Sequence, residues 1–219
     1  MSADFLPLAV GGPIARSPLA EGSHRGAELE ERDGWQVVAS YGDAAGESRA
    51  CRETVGWADL SHLAKAELSG TGAWLGSPAD GVATRRGDGW ACPLTPRRAL
   101  LLGDTGTPPD GVTLDLTSSL GAISIAGPEA RETIARFCAI DTRAATLPPS
   151  GFRPGSIART PGYLLREGED AFLLVFGAAY GAYMWEVVAD AGGRLGGRPV
   201  GVDVARLAAA PREEVASDA

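Results

Sequence analysis

Asp59, Ser61 and His62 stand close together and carry the residue types of a nucleophilic triad. Neighbouring residues of an extended strand point to opposite sides, whereas a triad needs converging side chains. No Gly-x-Ser-x-Gly elbow accompanies them, so this spacing argues against hydrolysis. The two histidines, His24 and His62, are 38 positions apart. Joining them into a metal site would take cysteines or carboxylates in no recognisable spacing, and a capping or core-edge role fits them better. Lys65 is the single lysine, so any Schiff base would have to use it. Gly70-x-Gly72-x-x-x-Gly76 follows a strand as a dinucleotide loop would, but its spacing is one residue too long. Trp74 and Pro78 would also sit badly in the helix that such a loop must open. Arg85-Arg86 and Arg97-Arg98 flank Trp90, a setting for base stacking or anion binding. In an acidic chain, a solvated face or a subunit contact is the better reading. Spacing alone yields no catalytic residue and no metal ligand.

Composition narrows the classes further. The 219 residues are 44% hydrophobic and 22% charged, a make-up able to build a real core. Acidic residues outnumber basic ones 28 to 20, for a net charge of −8. Non-specific nucleic-acid affinity comes mostly from Lys and Arg displacing counterions, so a general nucleic-acid role is excluded. Cys51, Cys92 and Cys138 are odd in number and contain no CxxC, which points to free thiols in a reducing compartment. Residues 1–16 lack a basic head followed by an apolar core, so no secretory signal is expected. The uncharged run Ala171–Trp185 is too short to span a bilayer and reads as a strand turning into a helix. The expectation is a soluble, cytoplasmic protein without a membrane segment.

Apolar periodicity predicts three helices. Residues 44–55 place Ala44, Cys51 and Val55 on one face. Residues 128–138 open with Pro128 and carry Ala130, Ile134, Phe137 and Cys138. Residues 179–191 stripe Tyr180, Met184, Val187, Val188 and Ala191, with Gly192-Gly193 as the stop. Strands are expected at Gln36–Ala39, Lys65–Leu68, Ala99–Leu102, Ala122–Ile125, Gly162–Leu165 and Ala171–Phe176. The order lacks a regular βαβα alternation, so the class is α+β.

The sequence also echoes itself. Asp59-Leu60-Ser61 runs through Lys65-Ala66-Glu67-Leu68-Ser69 to Gly70, and Asp115-Leu116-Thr117 runs through Ala122-Ile123-Ser124-Ile125-Ala126 to Gly127. Each copy reads as an acid-capped turn, a strand and a glycine. A second apolar strand follows each, at Ala99–Leu102 and Ala171–Leu174, after 40 and 56 residues. Two copies of one unit, the first abbreviated, are the inference. This gives two related, interlocked lobes of mixed sheet plus helices: an arm at 1–16, lobes at 17–110 and 111–209, and a tail at 210–219.

Motifs across both halves resemble the glycine-cleavage T-protein (aminomethyltransferase) family. Ser17-Pro18-Leu19, His24-x-Gly26-Ala27, Gly34-Trp35, Tyr41-Gly42, Glu47, Arg52 and Asp59-Leu60-Ser61-His62-Leu63-x-Lys65 follow that family's order. Its corresponding turn reads Asp-Val-Ser-His-Met-Gly-Lys. Ser124–Arg131, Gly168-Glu169-Asp170-Ala171-Phe172 and Gly197–Gly201 through Arg206-Leu207 fit its second half. Together the matching segments cover about two thirds of the chain. The resemblance implies the T-protein folate-binding fold, here lacking the family's C-terminal domain. A shortened chain of this kind is also similar to the gamma subunit of heterotetrameric sarcosine oxidase. That likeness is best in Asp115–Gly127, Cys138–Asp141, Leu147-Pro148-Pro149 and Tyr183-x-Trp185.

The departures from the family bear on function. The family's long insertion with paired aspartates has no equivalent in Gly72–Gly89. Leu173 stands where its folate-contacting glutamate would be, and Val202 stands for its arginine, though Asp203 remains. Losing two charged hydrogen bonds at about 1.5–3 kcal/mol each weakens pterin binding by roughly 10²–10⁴-fold. The expectation is a non-catalytic accessory subunit of a folate-linked sarcosine oxidase or demethylase, with larger flavoprotein oxidase subunits as partners and no strongly bound cofactor. The alternative is a reduced tetrahydrofolate-dependent aminomethyltransferase. On that reading Tyr41, His62 and Leu63 line a smaller pocket, and Asp203 joins them as a candidate tetrahydrofolate contact.

Overall fold

A computed structural model describes residues 14–70, 81–106, 108 and 111–210. The chain opens with β1 (Ala15–Arg16), the short helix α1 (Ala20–Ser23), β2 (Glu28–Arg32) and β3 (Trp35–Ser40). Asp33 and Gly34 join β2 to β3 with φ of 50° and 75°, the pair of left-handed residues that a tight hairpin needs. β1 pairs in parallel with β3, completing a three-stranded sheet, so the last residues of the stretch read as an arm are held. Helix α2 (Ala44–Glu53) follows, with Asp43 Oδ1 accepting from Gly46 N at 3.0 Å as its N-cap.

The remaining strands are built twice. β4 (Gly56–Asp59), β5 (Lys65–Ser69), β6 (Thr84–Arg86), β7 (Gly89–Thr95) and β8 (Arg98–Leu102) form the first series. β9 (Val112–Asp115), β10 (Leu120–Ala126), β11 (Phe152–Ile157), β12 (Thr160–Arg166) and β13 (Ala171–Gly177) form the second. One sheet has the order β6-β7-β8-β5-β9, the other β11-β12-β13-β10-β4-β14, where β14 is Arg198–Pro199. Apart from β14 at one edge the orders correspond strand for strand, and each series lends its first strand to the other's sheet. The echo in the sequence is thus an exchanged duplication, which is what interlocks the halves.

The crossing point is reciprocal to the atom. Leu60 N donates to Ala122 O at 2.9 Å and Leu116 N to Lys65 O at 2.8 Å. Ser61 Oγ accepts from Ala122 N at 3.2 Å, and Thr117 Oγ1 from Lys65 N at 3.1 Å. Asp59 Oδ1 holds Ser61 N at 3.0 Å, and Asp115 Oδ1 holds Thr117 N at 2.8 Å. An aspartate followed two residues later by a hydroxyl residue therefore closes the turn and anchors the other copy's strand.

Two cores share β13. Phe172, Leu174 and Phe176 point towards α3 (Ala130–Ala135) and α4 (Gly181–Gly193), meeting Ile134, Met184, Trp185 and Val188. Leu173 and Val175 point the other way, into a layer between the two large sheets that also holds Trp90, Leu100, Leu102 and Phe152. Burial on both faces explains why β13 reads as an unbroken apolar run.

The six expected strands form, each within one or two residues of its predicted ends. Of the helices, 128–138 shortens to α3, because Cys138 leaves the helix to bridge Ile157. The 179–191 segment begins as a 3-10 turn at Ala178–Tyr180, leaving Tyr180 44% exposed while Met184, Val188 and Ala191 are buried. β7 and β11 escape apolar reading because each contains a proline. Pro93 lies past the end of β6, and Pro154 is on an outermost strand, so neither breaks a shared ladder. Helix α5 (Val202–Ala209) completes the described chain.

A Cβ on Gly22 would lie 2.2 Å from Trp185 Cδ1, so α1 approaches α4 only because this residue has no side chain. Gly22→Ala is expected to destabilise the protein by about 1–3 kcal/mol through overpacking, measured as a lowered denaturation midpoint.

Candidate functional site

Asp59 ends β4, a strand buried along its whole length between β10 and β14. Its Oδ2 accepts from Ser17 Oγ at 2.5 Å and Ser23 Oγ at 2.9 Å, both supplied by the N-terminal segment. Tyr41 OH donates to Ser23 O at 2.6 Å, and Tyr41 N donates to Glu47 Oε1 at 2.7 Å. Glu47, fully buried in α2, also accepts from Ser40 Oγ and Gly201 N. Lys65 Nζ donates to Ser61 O and Leu63 O, each at 2.7 Å, and the residue is 1% exposed. Burial lowers its pKa to about 8, against the attraction of Asp59 and Asp115.

Two histidines border this cluster, and both are neutral at pH 7. Burial lowers the pKa of His24, whose Nε2 is enclosed without a hydrogen-bond partner. Burial first, then the nearby charge of Arg206, takes His62 down to about 4 despite Asp59. Ser17, His24, Gln36, Asp59 and His62 border a void without room for a water molecule. No triad is assembled among them: Ser61 Oγ is fully buried and engaged by Ala122 N, and Asp59 is engaged by serines.

Of the four residues marked by sequence, Tyr41 and His62 each lie within electrostatic reach of Asp59, and His62 also within that of Asp203. Leu63 packs into the layer between the sheets. Asp203 begins α5 at the surface, where Arg32 Nη1 and Nη2 donate to its two oxygens at 2.6 Å each. That pairing holds the Asp203 carboxyl below the usual carboxylate range. Because Asp203 is largely exposed, Arg32→Ala is expected to change the unfolding free energy by less than about 1 kcal/mol in chemical denaturation. Leu173, in the place of the family glutamate, is 1% exposed within the layer between the sheets. That layer is filled by Trp90, Phe152 and their neighbours.

The arginine pairs beside Trp90 are partly engaged. Arg85 covers the Trp90 ring at 4.9 Å, and Arg98 grips Glu67 through Nε at 2.7 Å and Nη2 at 2.5 Å. The glycine loop at Gly72 and Gly76 lies outside the described residues. Among the described residues no group of three His, Cys, Asp or Glu side chains could hold a metal ion. Nor is any described helix long and apolar enough to cross a membrane.

A cavity of about 800 Å³ lies elsewhere, between α2, α5 and the loop joining β12 to β13. Glu167 lines it and accepts from Trp90 Nε1 at 3.1 Å. Sequence reasoning missed this residue because Arg166–Asp170 reads as a polar hairpin turn, and its indole partner is 77 positions away.

Comparison with known proteins agrees with this architecture. The family model for the GCVT N-terminal domain matches residues 103–209. Aminomethyltransferases of Mycobacterium avium (strain 104) and Mycolicibacterium paratuberculosis (strain ATCC BAA-968 / K-10) are each 44% identical over 62 residues. That stretch is 27% of this chain but only 17% of either relative. Aminomethyltransferase T of the glycine cleavage system from Bartonella henselae superposes with a TM-score of 0.65 at 18% identity, over 88% of this chain and 61% of that one. A chain of heterotetrameric sarcosine oxidase from Corynebacterium sp. U-96, in complex with pyrrole 2-carboxylate, gives 0.55 at 18%, over 70% and 92%. At such identity the structural likeness establishes the fold, a mixed α+β arrangement of the T-protein type.

Proposed function

We propose, for a chain whose residues 103–209 match the family model for the GCVT N-terminal domain, a non-catalytic accessory role in a folate-linked sarcosine oxidase or demethylase assembly. The observation that carries this reading is Leu173, buried to 1% exposure where the T-protein pattern has a folate-contacting glutamate. The engagement of Asp203 by Arg32 supports it, since the remaining acid of that pattern is already paired at the surface. On this reading the flavin and the one-carbon chemistry belong to larger flavoprotein chains in the cytoplasm. This chain contributes a rigid duplicated scaffold, divided near residue 110, on which they pack.

Three measurements test the reading. Titrating the purified chain with tetrahydrofolate in a calorimeter is expected to give no binding heat, whereas micromolar binding would overturn the accessory role. Formaldehyde-dependent turnover of tetrahydrofolate by the chain alone would favour the transferase alternative, with Tyr41, His62 and Leu63 as its pocket. Co-expression with the large flavoprotein chains of an amine oxidase is expected to yield a co-purifying complex.

A further inference from the structure

An outermost strand leaves every second amide and carbonyl of its backbone open to pairing with another chain, and charged side chains or proline discourage such pairing. Among the described residues, β1, β2, β6, β9, β11 and β14 stand at sheet edges. All but β9 carry an arginine, at Arg16, Arg32, Arg85, Arg153 and Arg198, and β11 and β14 also contain a proline. The strand β9, Val112-Thr113-Leu114-Asp115, has neither. Its large side chains lie open, Val112 at 73% exposure and Leu114 at 60%. Its counterpart in the other sheet is β4, which is buried along its length and pairs with β14 on its outer side. The duplicated fold therefore supplies one more strand at one of two equivalent edges, and none among the described residues at the other.

The backbone parity of β9 fixes which groups face outward. Leu116 N donates to Lys65 O at 2.8 Å, and the same register sets Leu114 opposite Glu67 and Val112 opposite Ser69. Antiparallel pairs alternate between bonded and non-bonded, so Thr113 and Asp115 turn their N–H and C=O away from β5. Val112 and Leu114 share the face on which Leu116 packs into the layer between the sheets. Glu67, beside Leu114 on that face, is already held by Arg98 through both carboxylate oxygens. These constraints select among the antiparallel registers in which a second copy of β9 could pair with the first. An axis at Asp115 would set two carboxylates against each other. An axis at Thr113 would set Asp115 against Gly111, whose φ of 108° lies outside strand geometry. An axis at Leu114 pairs Thr113 with Asp115 twice, puts Leu114 against Leu114 and Val112 against Leu116, and brings no like charges together.

We propose that β9 pairs with β9 of a second copy of this chain, antiparallel about a two-fold axis at Leu114, joining two five-stranded sheets edge to edge. The strand is self-complementary in that register, which is why a second copy fits it. The pairing is independent of the accessory role. An edge of four residues falls short of the roughly 1,200 Å² at which stable interfaces begin, so the dimer is a weak one, with a Kd of about 10 µM to 1 mM.

Sedimentation of the full chain from about 10 µM to 1 mM is expected to show a monomer–dimer equilibrium. Leu114→Arg puts two guanidinium groups on the axis, and Thr113→Pro removes an outward N–H while sparing the ladder to β5. Each should weaken dimerisation by roughly 10-fold or more and leave the circular dichroism spectrum unchanged. Leu114→Cys lies on the axis and should give a disulfide-linked dimer under mild oxidation, whereas Val112→Cys, facing Leu116, should not. A monomer throughout the range, or a dimer untouched by both Leu114→Arg and Thr113→Pro, would overturn the proposal. So would cross-linking of Val112→Cys in place of Leu114→Cys. Protection of the Thr113 and Asp115 amides from hydrogen exchange only when a flavoprotein chain is added would assign this edge to another partner, and would equally overturn it.

Discussion

Asp59→Ala is expected to lower the unfolding free energy by about 3–5 kcal/mol, while Asp115→Ala, at the equivalent place in the other copy, should cost about 1 kcal/mol or less. Both aspartates hold the amide two residues on, Ser61 N and Thr117 N, so the local turn is the same. Only Asp59 also takes hydrogen bonds from Ser17 and Ser23, and only Asp59 is buried. Removing it leaves two enclosed hydroxyls and an enclosed amide without acceptors. Removing Asp115 returns one amide to water. Urea titrations of the two variants measure the contrast directly, and equal losses would mean that the serine cluster adds nothing beyond the turn.

The second large effect is a pH dependence centred on Lys65. Its pKa is about 8 in the folded chain against an ordinary value of 10.5. A base whose pKa falls on folding opposes folding most when it is charged in both states, below pH 8. The penalty fades as pH rises from 8 to 10.5, where the unfolded chain also loses the proton. Relative to Lys65→Met, the wild-type protein should therefore gain about 3 kcal/mol across that interval. The comparison must be a difference between the two proteins, because Cys51 works in the opposite direction. Burial raises its thiol from 9.0 to about 11, so it withdraws stability as pH climbs through that range. Denaturant midpoints of both proteins across the interval would show the effect, and a constant difference would contradict it.

Lys65 also marks where the two copies differ. It sits at the crossing of the two copies, attracted by both Asp59 and Asp115, while Ala122 takes the reciprocal position. A duplicated turn has thus kept its hydrogen-bonding frame and lost symmetry in its charges.

Local pattern accounted for much of this. Alternating or continuous apolar stretches located β3, β5, β8, β10, β12 and β13, and the repeated Asp-Leu-Ser/Thr turn announced the duplication. Those signals are short-ranged: a side-chain period or a turn preference is written in adjacent residues. β7 and β11 were hidden by Pro93 and Pro154, whose tolerance depends on which neighbour strand reaches them. The candidate residues Tyr41, His62, Leu63 and Asp203 were found by family motif, and that motif is silent on which side chains already have partners here.

The amino-acid order by itself determined the α+β class, the two copies of the strand unit and the replacement of the family glutamate by Leu173. Tertiary structure alone decided that the copies trade strands, that Leu173 shares a filled layer with Trp90 and Phe152, and that Arg32 pairs with Asp203. The division has a physical cause. Propensity and periodicity act over a few residues, whereas burial, charge compensation and open volume arise between segments far apart in the chain, and exist only once it has closed upon itself.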